Sequence, residues 1–207
     1  CYNGLMIKIC SKIPRKVAIA VSGGIDSMSA LDFLVRGKKQ VTAVHFNHGT
    51  ESSCDQQNVV EKYCNVRGIP LVKGELKKDK PHDQSFEEHW REERYKFFRN
   101  CNFDFPIVTA HHLDDVVEWW IFSSLHGLPK VIPHFRSDCN VLRPFLTTEK
   151  TAFVRWAKNN NVPFAEDASN SDTKYMRNHI RHNIVPLAMK VNPGLRKTVS
   201  KKIKEAI

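Results

Sequence analysis

VAIAVSGGIDSMSALDFLV, from Val17 to Val35, is the stretch whose reading decides the fold. Val17 to Val21 is an unbroken run of β-branched and small apolar residues, the pattern of a strand buried on both faces. A helical pattern follows from Ser27 to Arg36, and Ser22-Gly23-Gly24-Ile25-Asp26-Ser27 joins the two. Working outward, apolar runs at Val41 to Phe46, Pro70 to Lys73 and Pro106 to Ala110 read as three more strands. Helical patterns lie between and after them at Asp55 to Arg67, Gln84 to Arg99 and Leu113 to His126. Strict alternation of this kind predicts an α/β fold: a parallel, twisted, Rossmann-like sheet with helices on both faces, joined by right-handed crossovers. After Gly127 the rhythm changes. Pro129, Pro133, Pro144 and Pro163 punctuate loops, Thr147 to Asn160 reads as a helix with a Thr cap, and a basic helical tail follows Thr173. The expected division is an α/β domain over 1–145 and a small, helical, basic C-terminal extension over 146–207.

Composition narrows the function classes. The chain has 207 residues, 41% of them hydrophobic, enough for one sizeable core. No apolar run reaches membrane-spanning length and the first residues lack a signal-peptide pattern, so a cytoplasmic protein with no membrane partner is expected. Cys1, Cys10, Cys54, Cys64, Cys101 and Cys139 form no CxxC pair and read as reduced thiols, most of them buried. The formal net charge is +10, and from Lys174 to Ile207 nine Lys and Arg face Glu205 alone. Such a tail suits either a solvated helix surface or a polyanion such as RNA.

Ligands of a doubly wound sheet sit at the carboxyl ends of its strands. Three of the four expected strand ends carry polar chemistry: SGGIDS after the first, HFNHG (His45 to Gly49) after the second and AHHLDD (Ala110 to Asp115) after the last. Paired glycines let successive backbone N–H groups converge on an anion, and the following helix adds its positive end, so phosphate is the expected occupant. The turn lacks the Lys of a Walker loop. Asp26 would repel phosphate unless a cation lay between them, which implies Mg²⁺. A glycine turn capped by Asp or Ser is the alternative.

The SGGxDS loop resembles the signature of the N-type ATP pyrophosphatases, the PP-loop superfamily, with its adenine nucleotide alpha hydrolase-like fold. HFNHG, REERYKFF (Arg91 to Phe98), AHHLDDVVE (Ala110 to Glu118), LRPF (Leu142 to Phe145) and EDASNSDTKYMRNHIRHNIVPL (Glu166 to Leu187) resemble one branch, the tRNA(Ile)-lysidine synthetases. The resemblance runs from about Val17 to Leu187. It implies that ATP adenylates the C2 oxygen of the wobble cytidine in the CAU anticodon of tRNA(Ile), and that free L-lysine then displaces AMP. It further implies Ser22, Gly23, Gly24 and Ser27 on the pyrophosphate, Asp26 on the metal, and His45 and Asn47 around the nucleoside. Arg94 or Arg91 would reach the phosphates, unless each is a solvated partner of nearby glutamates. Asp26, Arg94, His111 and Asp115 form the expected catalytic set.

The second step needs a neutral amine, and deprotonating lysine at pH 7 costs about 4.6 kcal/mol. Asp114, Asp115 and Glu118 lie at i, i+1 and i+4, so all three can share a helical face and hold the ammonium. Acids there also suit the helix dipole. A metal site of His111, His112, Asp114 and Asp115 is a further reading, disfavoured because adjacent ligands diverge around a helix. Arg143, Arg177, Asn178 and Arg181 are expected on the tRNA, where a flipped cytidine needs its flanking phosphates held. Trp119, Trp120, Trp156 and Phe164 offer either stacking surfaces or core packing.

The chain departs from the branch at Trp119, where a small hydroxyl residue is usual, and Ser123 to Phe135 stands in place of a glycine-rich segment. A tRNA thiolation enzyme shares the loop but commonly uses close cysteine pairs. An asparagine synthetase needs a glutaminase domain between its N-terminal Cys and the loop. A non-catalytic basic RNA-binding module would gain nothing from acids beside a phosphate site. A homodimer is a further candidate assembly.

Overall fold

The computed structural model describes residues 6–49, 53–76, 85–166, 174 and 176–207, the side chains of 86 and 87 excepted. Their backbone forms one mixed sheet in the order β3-β2-β1-β4-β6-β5. The strands are β1 (Lys16–Ala20), β2 (Gln40–Asn47), β3 (Leu71–Glu75), β4 (Ile107–Val108), β5 (Phe135–Arg136) and β6 (Val141–Leu142). The helices are α1 (Ile25–Arg36), α2 (Ser53–Arg67), α3 (Phe86–Asn100), α4 (Leu113–Leu125), α5 (Lys150–Asn160), α6 (Met176–His179), α7 (Val185–Val191) and α8 (Leu195–Glu205). Between α6 and α7, Ile180–Ile184 winds as a π-helical turn.

Strands β3, β2, β1, β4 and β6 run parallel, and β5 pairs antiparallel with β6. The chain lays β1 to β3 outward on one side, then crosses back to set β4 on the other side of β1. That reversal opens a crevice at the carboxyl ends of β1 and β4.

Both sheet faces are covered, as the continuous apolar strands require. Val17, Ile19, Val21 and Ala43 point to one face, where α1, α2 and α5 pack with them. Ala18, Val44, Ile107 and Val141 point to the other, against Tyr95 and Phe98 of α3. Helix α5 belongs to the first layer: Phe153 is fully buried and Ser29 Oγ on α1 donates to its carbonyl at 3.0 Å. Burial of a phenylalanine side chain contributes roughly 1.5–3 kcal/mol, which helps hold α5 in this layer. A third cluster joins Val116 and Val117 of α4 to Val199 and Ile203 of α8.

Several expectations are revised. Strands β5 and β6 have two residues each, too few to show a period. Helix α5 starts at Lys150, with Glu149 at its N-cap and no side-chain cap. Thr148 serves the N-terminal segment instead, accepting from Lys8 N at 2.9 Å and donating to Lys8 O. Among the described cysteines, all free, Cys64 and Cys139 are buried, Cys10 and Cys101 are half-buried and Cys54 is exposed. Cys1, Gln84 and residues 167–173 and 175 of the expected Asn/Asp-rich stretch lie outside the described residues.

Candidate active site

A cleft of about 200 Å³ opens at the carboxyl ends of β1, β2 and β4, between the loop after β1, helix α3 and the start of α4. Gly23 has φ +91°, and a Cβ there would stand 2.7 Å from the Gln56 carbonyl oxygen of α2. Both facts demand glycine. Gly24 differs: a Cβ would meet only Ser22 Oγ, at 3.6 Å, so the packing leaves open space at the N-terminus of α1. The hydroxyls brace the turn, with Ser27 Oγ donating to Gly24 O at 3.0 Å and accepting from Ser22 N at 3.1 Å. From the far side, Ala165 N donates to Gly23 O at 2.9 Å, which ties the chain after α5 to the loop.

Asp26 lies in the first turn of α1. Its Oδ2 is 3.6 Å from His112 Nε2 and 3.5 Å from Lys150 Nζ. Its Oδ1 is buried with no hydrogen-bond partner. An orphaned carboxylate oxygen beside an anion cradle is the donor a hard divalent cation takes, so the site fits Mg²⁺.

His112 caps α4. Its backbone N–H donates to Asp115 Oδ2 at 2.9 Å and its Nδ1 accepts from Asp115 N at 3.4 Å. Burial alone would lower the pKa of His112, but Asp115, Asp26 and Asp114 outweigh it and hold the imidazole above its usual value. Burial likewise opposes ionisation of Asp115, and His112 and Arg177 overcome it, leaving the carboxylate well below its usual range. His111 turns the other way, its Nδ1 2.8 Å from Thr109 Oγ1. Burial, reinforced by Arg143, Arg177 and Arg94, drives its pKa down to about 3 despite Asp115.

Asp115 and Glu118, both buried, are gripped by two arginines from the tail. Arg177 Nη2 bonds Asp115 Oδ1 at 2.5 Å and its Nε bonds Glu118 Oε2 at 3.2 Å. Arg181 Nε bonds Glu118 Oε1 at 2.6 Å. Arg177 on α6 and Arg181 in the π-helical turn that follows stand four residues apart, a spacing that puts both on one side of the helix. Asp115 chiefly, with Glu118, raises the pKa of Arg177 against the effect of burial.

Arg94 and Tyr95 of α3 also line the cleft, and three further arginines gather around the Tyr95 side chain, Arg136 among them paired with Asp138. Arg136, Arg91 and Arg94 sit 4.4, 5.7 and 5.8 Å from the Tyr95 ring centroid, and Arg143 Nη2 donates to Tyr95 Oη at 2.9 Å. Arg94 lines the cleft and has no carboxylate partner among the described residues. Arg91 is exposed.

The remaining expectations resolve differently. Ser22, Asp26, Ser27, Arg94, His111, Asp115 and Arg177 all line the one cleft. His45 and Asn47 do not: β2 alternates, and Val44, Phe46 and His48 face the cleft instead. His45 Nδ1 meets Val21 O at 2.8 Å, and Asn47 accepts from Gly49 N and donates to Gln57 Oε1. Asp114 leaves the shared face expected of the three acids, accepting from Lys150 N at 2.8 Å and from Arg196 Nε at 3.0 Å. His111 thus turns to Thr109, Asp114 to Lys150 and Arg196, and His112 and Asp115 to each other, so the four do not converge on one metal. Arg143 and Asn178 are buried, at 2% and 8% exposure, so neither presents a surface to RNA. The sequence reading missed Phe46, His48, Tyr95 and Lys150. A strand buried on both faces gives no sign of which face meets the cleft, and nothing local to Lys150 marks its reach to Asp26.

The histidines set an acid limit on stability. His48, desolvated and facing Arg94, is held down to about 4, and His111 to about 3. An unfolded histidine protonates near 6.5, so between about pH 6.5 and 4 the unfolded chain binds more protons than the fold. Stability must therefore fall on acidification through that window. His112 has the opposite sign, stabilising fully below about pH 6.5 and losing its contribution as pH rises through its raised pKa. Calorimetric Tm values are expected to drop between pH 6.5 and 4, and His111→Gln and His48→Gln to flatten the slope. An unchanged slope in both variants would show that other groups set it.

The PP-loop domain family matches residues 5–188. The tRNA(Ile)-lysidine synthase of Thermotoga maritima is 34% identical over 198 residues, covering 88% of this chain and 47% of that protein. That of Staphylococcus epidermidis is 33% identical over 195 residues, covering 86% and 45%. The chain thus spans about half the length of the curated relatives it matches. Among solved structures, the U34-tRNA thiolase NcsA from Methanococcus maripaludis superposes with a TM-score of 0.72 at 17% identity, over 95% of this chain and 74% of that one, a likeness of fold. With its Ser22–Ser27 cradle at the head of a doubly wound sheet, the chain belongs to the PP-loop domain family.

Proposed function

We propose that this chain carries the ATP-dependent chemistry of a tRNA(Ile)-lysidine synthetase acting in the cytoplasm. One observation carries the reading: Ser22, Asp26 and Ser27 of the anion cradle and the arginine-clamped carboxylate Asp115 line a single cleft, with Glu118 behind Asp115 in the same clamp. In the first step the cytidine C2 oxygen attacks the α-phosphorus of ATP; the new O–P bond forms, the α–β bond breaks and pyrophosphate leaves. The open space at Gly24 and the N–H groups opening α1 receive the leaving diphosphate. Mg²⁺ held by Asp26 would neutralise its charge. Arg94 and its basic neighbours around Tyr95 balance the charge that builds on the phosphates. His111, neutral at physiological pH, donates or accepts a hydrogen bond without adding charge.

In the second step the lysine amine attacks C2, forming the C–N bond as the C2–O bond to AMP breaks. Asp115 at the cleft, with Glu118 behind it in the same arginine clamp, offers the lysine ammonium its carboxylate partner, and the proton it sheds passes to solvent. Arg177 and Arg181 hold those carboxylates ionised in the meantime. The exposed lysines of α8 supply phosphate contacts for tRNA.

The test is incorporation of radiolabelled lysine into a CAU-anticodon tRNA(Ile) transcript with Mg·ATP. Lysine-dependent label with stoichiometric AMP is expected. Incorporation of sulfur instead would favour thiolation, and tRNA binding without pyrophosphate release would favour an inert binding module.

A further inference from the structure

We propose that Trp119, Phe122 and His126 of α4 form a stacking column for the unpaired bases that flank the reacting nucleotide. The proposal rests on the polynucleotide part of the reading above. Asp115, Trp119, Phe122 and His126 stand at i, i+4, i+7 and i+11, a single stripe along the helix. Its inner end, Asp115, lines the cleft, and its outer end is the helix C-cap, so the stripe leads from the reaction site to the surface.

The three rings are in contact, the first pair stacked and the second tilted. Trp119 and Phe122 have centroids 5.5 Å apart and planes 26° apart; Phe122 and His126 are 4.3 Å and 37° apart. His126 is fixed by its Nδ1 contact with Phe122 O at 2.8 Å. Folding does not require this stripe, because α4 buries a different one: Val116 and Val117, at 0% and 1% exposure, pack on α8. Trp119 remains 37% exposed. A second aromatic stripe left at the surface of a helix, leading into a cleft, calls for a ligand.

Charge selects the occupant. Between Trp119 and Ser137 the charged side chains are Lys130 and Arg136, and Arg136 is paired with Asp138 at 2.6 Å. The turn after α4 folds back so that Lys130 N donates to Ser123 Oγ at 2.8 Å, which anchors the Lys130 backbone beside the helix end. Flat π faces on a chain of net charge +10 fit unstacked bases and their phosphates. A base flipped into the cleft leaves its neighbours unstacked, and the column is where they regain a stacking partner.

The experiment measures binding of a fluorescein-labelled RNA stem-loop with a CAU loop by anisotropy, without ATP or lysine. Trp119→Ala and Phe122→Ala are each expected to weaken binding roughly tenfold, as for the loss of one base stack. Trp119→Phe is expected to restore most of it. Since no charge changes, the dependence of affinity on salt must keep its slope. With an abasic residue beside the target cytidine, parent and Trp119→Ala should bind alike. Circular dichroism and thermal protection by Mg·ATP check the fold of each variant. No binding by the parent, unchanged affinity in folded variants, or the same loss on abasic RNA overturns the proposal. So does a parent dimer that dissociates in Trp119→Ala, which would make the column a protein interface. Trp119-dependent binding without lysine incorporation would sink the lysidine reading and leave the column; incorporation with Trp119-independent binding would do the reverse.

Discussion

Asp26→Asn is expected to leave a folded protein that releases pyrophosphate at least about a hundredfold more slowly, the scale of losing one group that neutralises charge in a transition state. The amide keeps the size and polarity of the side chain but removes the charge of Oδ2, 3.5 Å from Lys150 Nζ and 3.6 Å from His112 Nε2, and replaces the orphan oxygen that suits a cation. Structural cost is small, because the lost helix-dipole term is worth about 0.3–1 kcal/mol. The measurement is coupled detection of pyrophosphate across a Mg²⁺ titration, with Tm followed in parallel. A shift of the Mg²⁺ dependence to higher concentration would separate metal holding from a general electrostatic role. Turnover within a few-fold of the parent at ordinary Mg²⁺ would remove Asp26 from the chemistry.

The reason Asp26 could be found in the sequence is that its context is local. Strand, double glycine and helix start are consecutive, and each is legible from a handful of residues. The same holds for the parallel alternation and the placing of the site at the strand ends. What the sequence left open depends on long-range geometry. His45 and His48 are both histidines at the end of β2, and only the pairing of β2 with its neighbours decides that His48 faces the cleft. Asp114, Asp115 and Glu118 are equivalent on a helical wheel. Contacts from chain segments far along the sequence separate them: Arg196 and Lys150 take Asp114, while Arg177 and Arg181 take the other two. The charge of Arg177 and its helical spacing with Arg181 point to phosphate, whereas its acid partners lie 59 and 62 positions earlier and leave no local sign. Strands β5 and β6 illustrate a different limit, since two residues are too few to display any period.

Asp32→Ala is expected to destabilise the fold by about 3–5 kcal/mol, the range for removing one partner from a buried charged network. Asp32 is a fully buried carboxylate on α1 at the layer opposite the cleft. Tyr63 Oη of α2 donates to its Oδ1 at 2.6 Å, and Trp156 Nε1 of α5 and Arg36 Nε donate to its Oδ2 at 2.8 and 2.7 Å. Arg67 closes the set at 3.6 Å. One acid therefore binds three helices, and burial together with Asp32 raises the Tyr63 pKa so that the phenol stays a donor. Truncation strands the Tyr63 hydroxyl and the Trp156 N–H away from water, and each such orphan costs roughly 1–3 kcal/mol. Arg36 and Arg67 are partly exposed and recover water, which keeps the total below the sum of the contacts. Urea unfolding of Asp32→Ala, Tyr63→Phe and the double variant separates the pair, with a coupling of roughly 0.5–3 kcal/mol expected. Because α5 leads directly to Ala165, whose N–H holds Gly23 O, the same variant should also loosen the loop and weaken thermal protection by ATP. A loss below about 1 kcal/mol, or additive single variants, would show that packing of Phe153 alone secures α5.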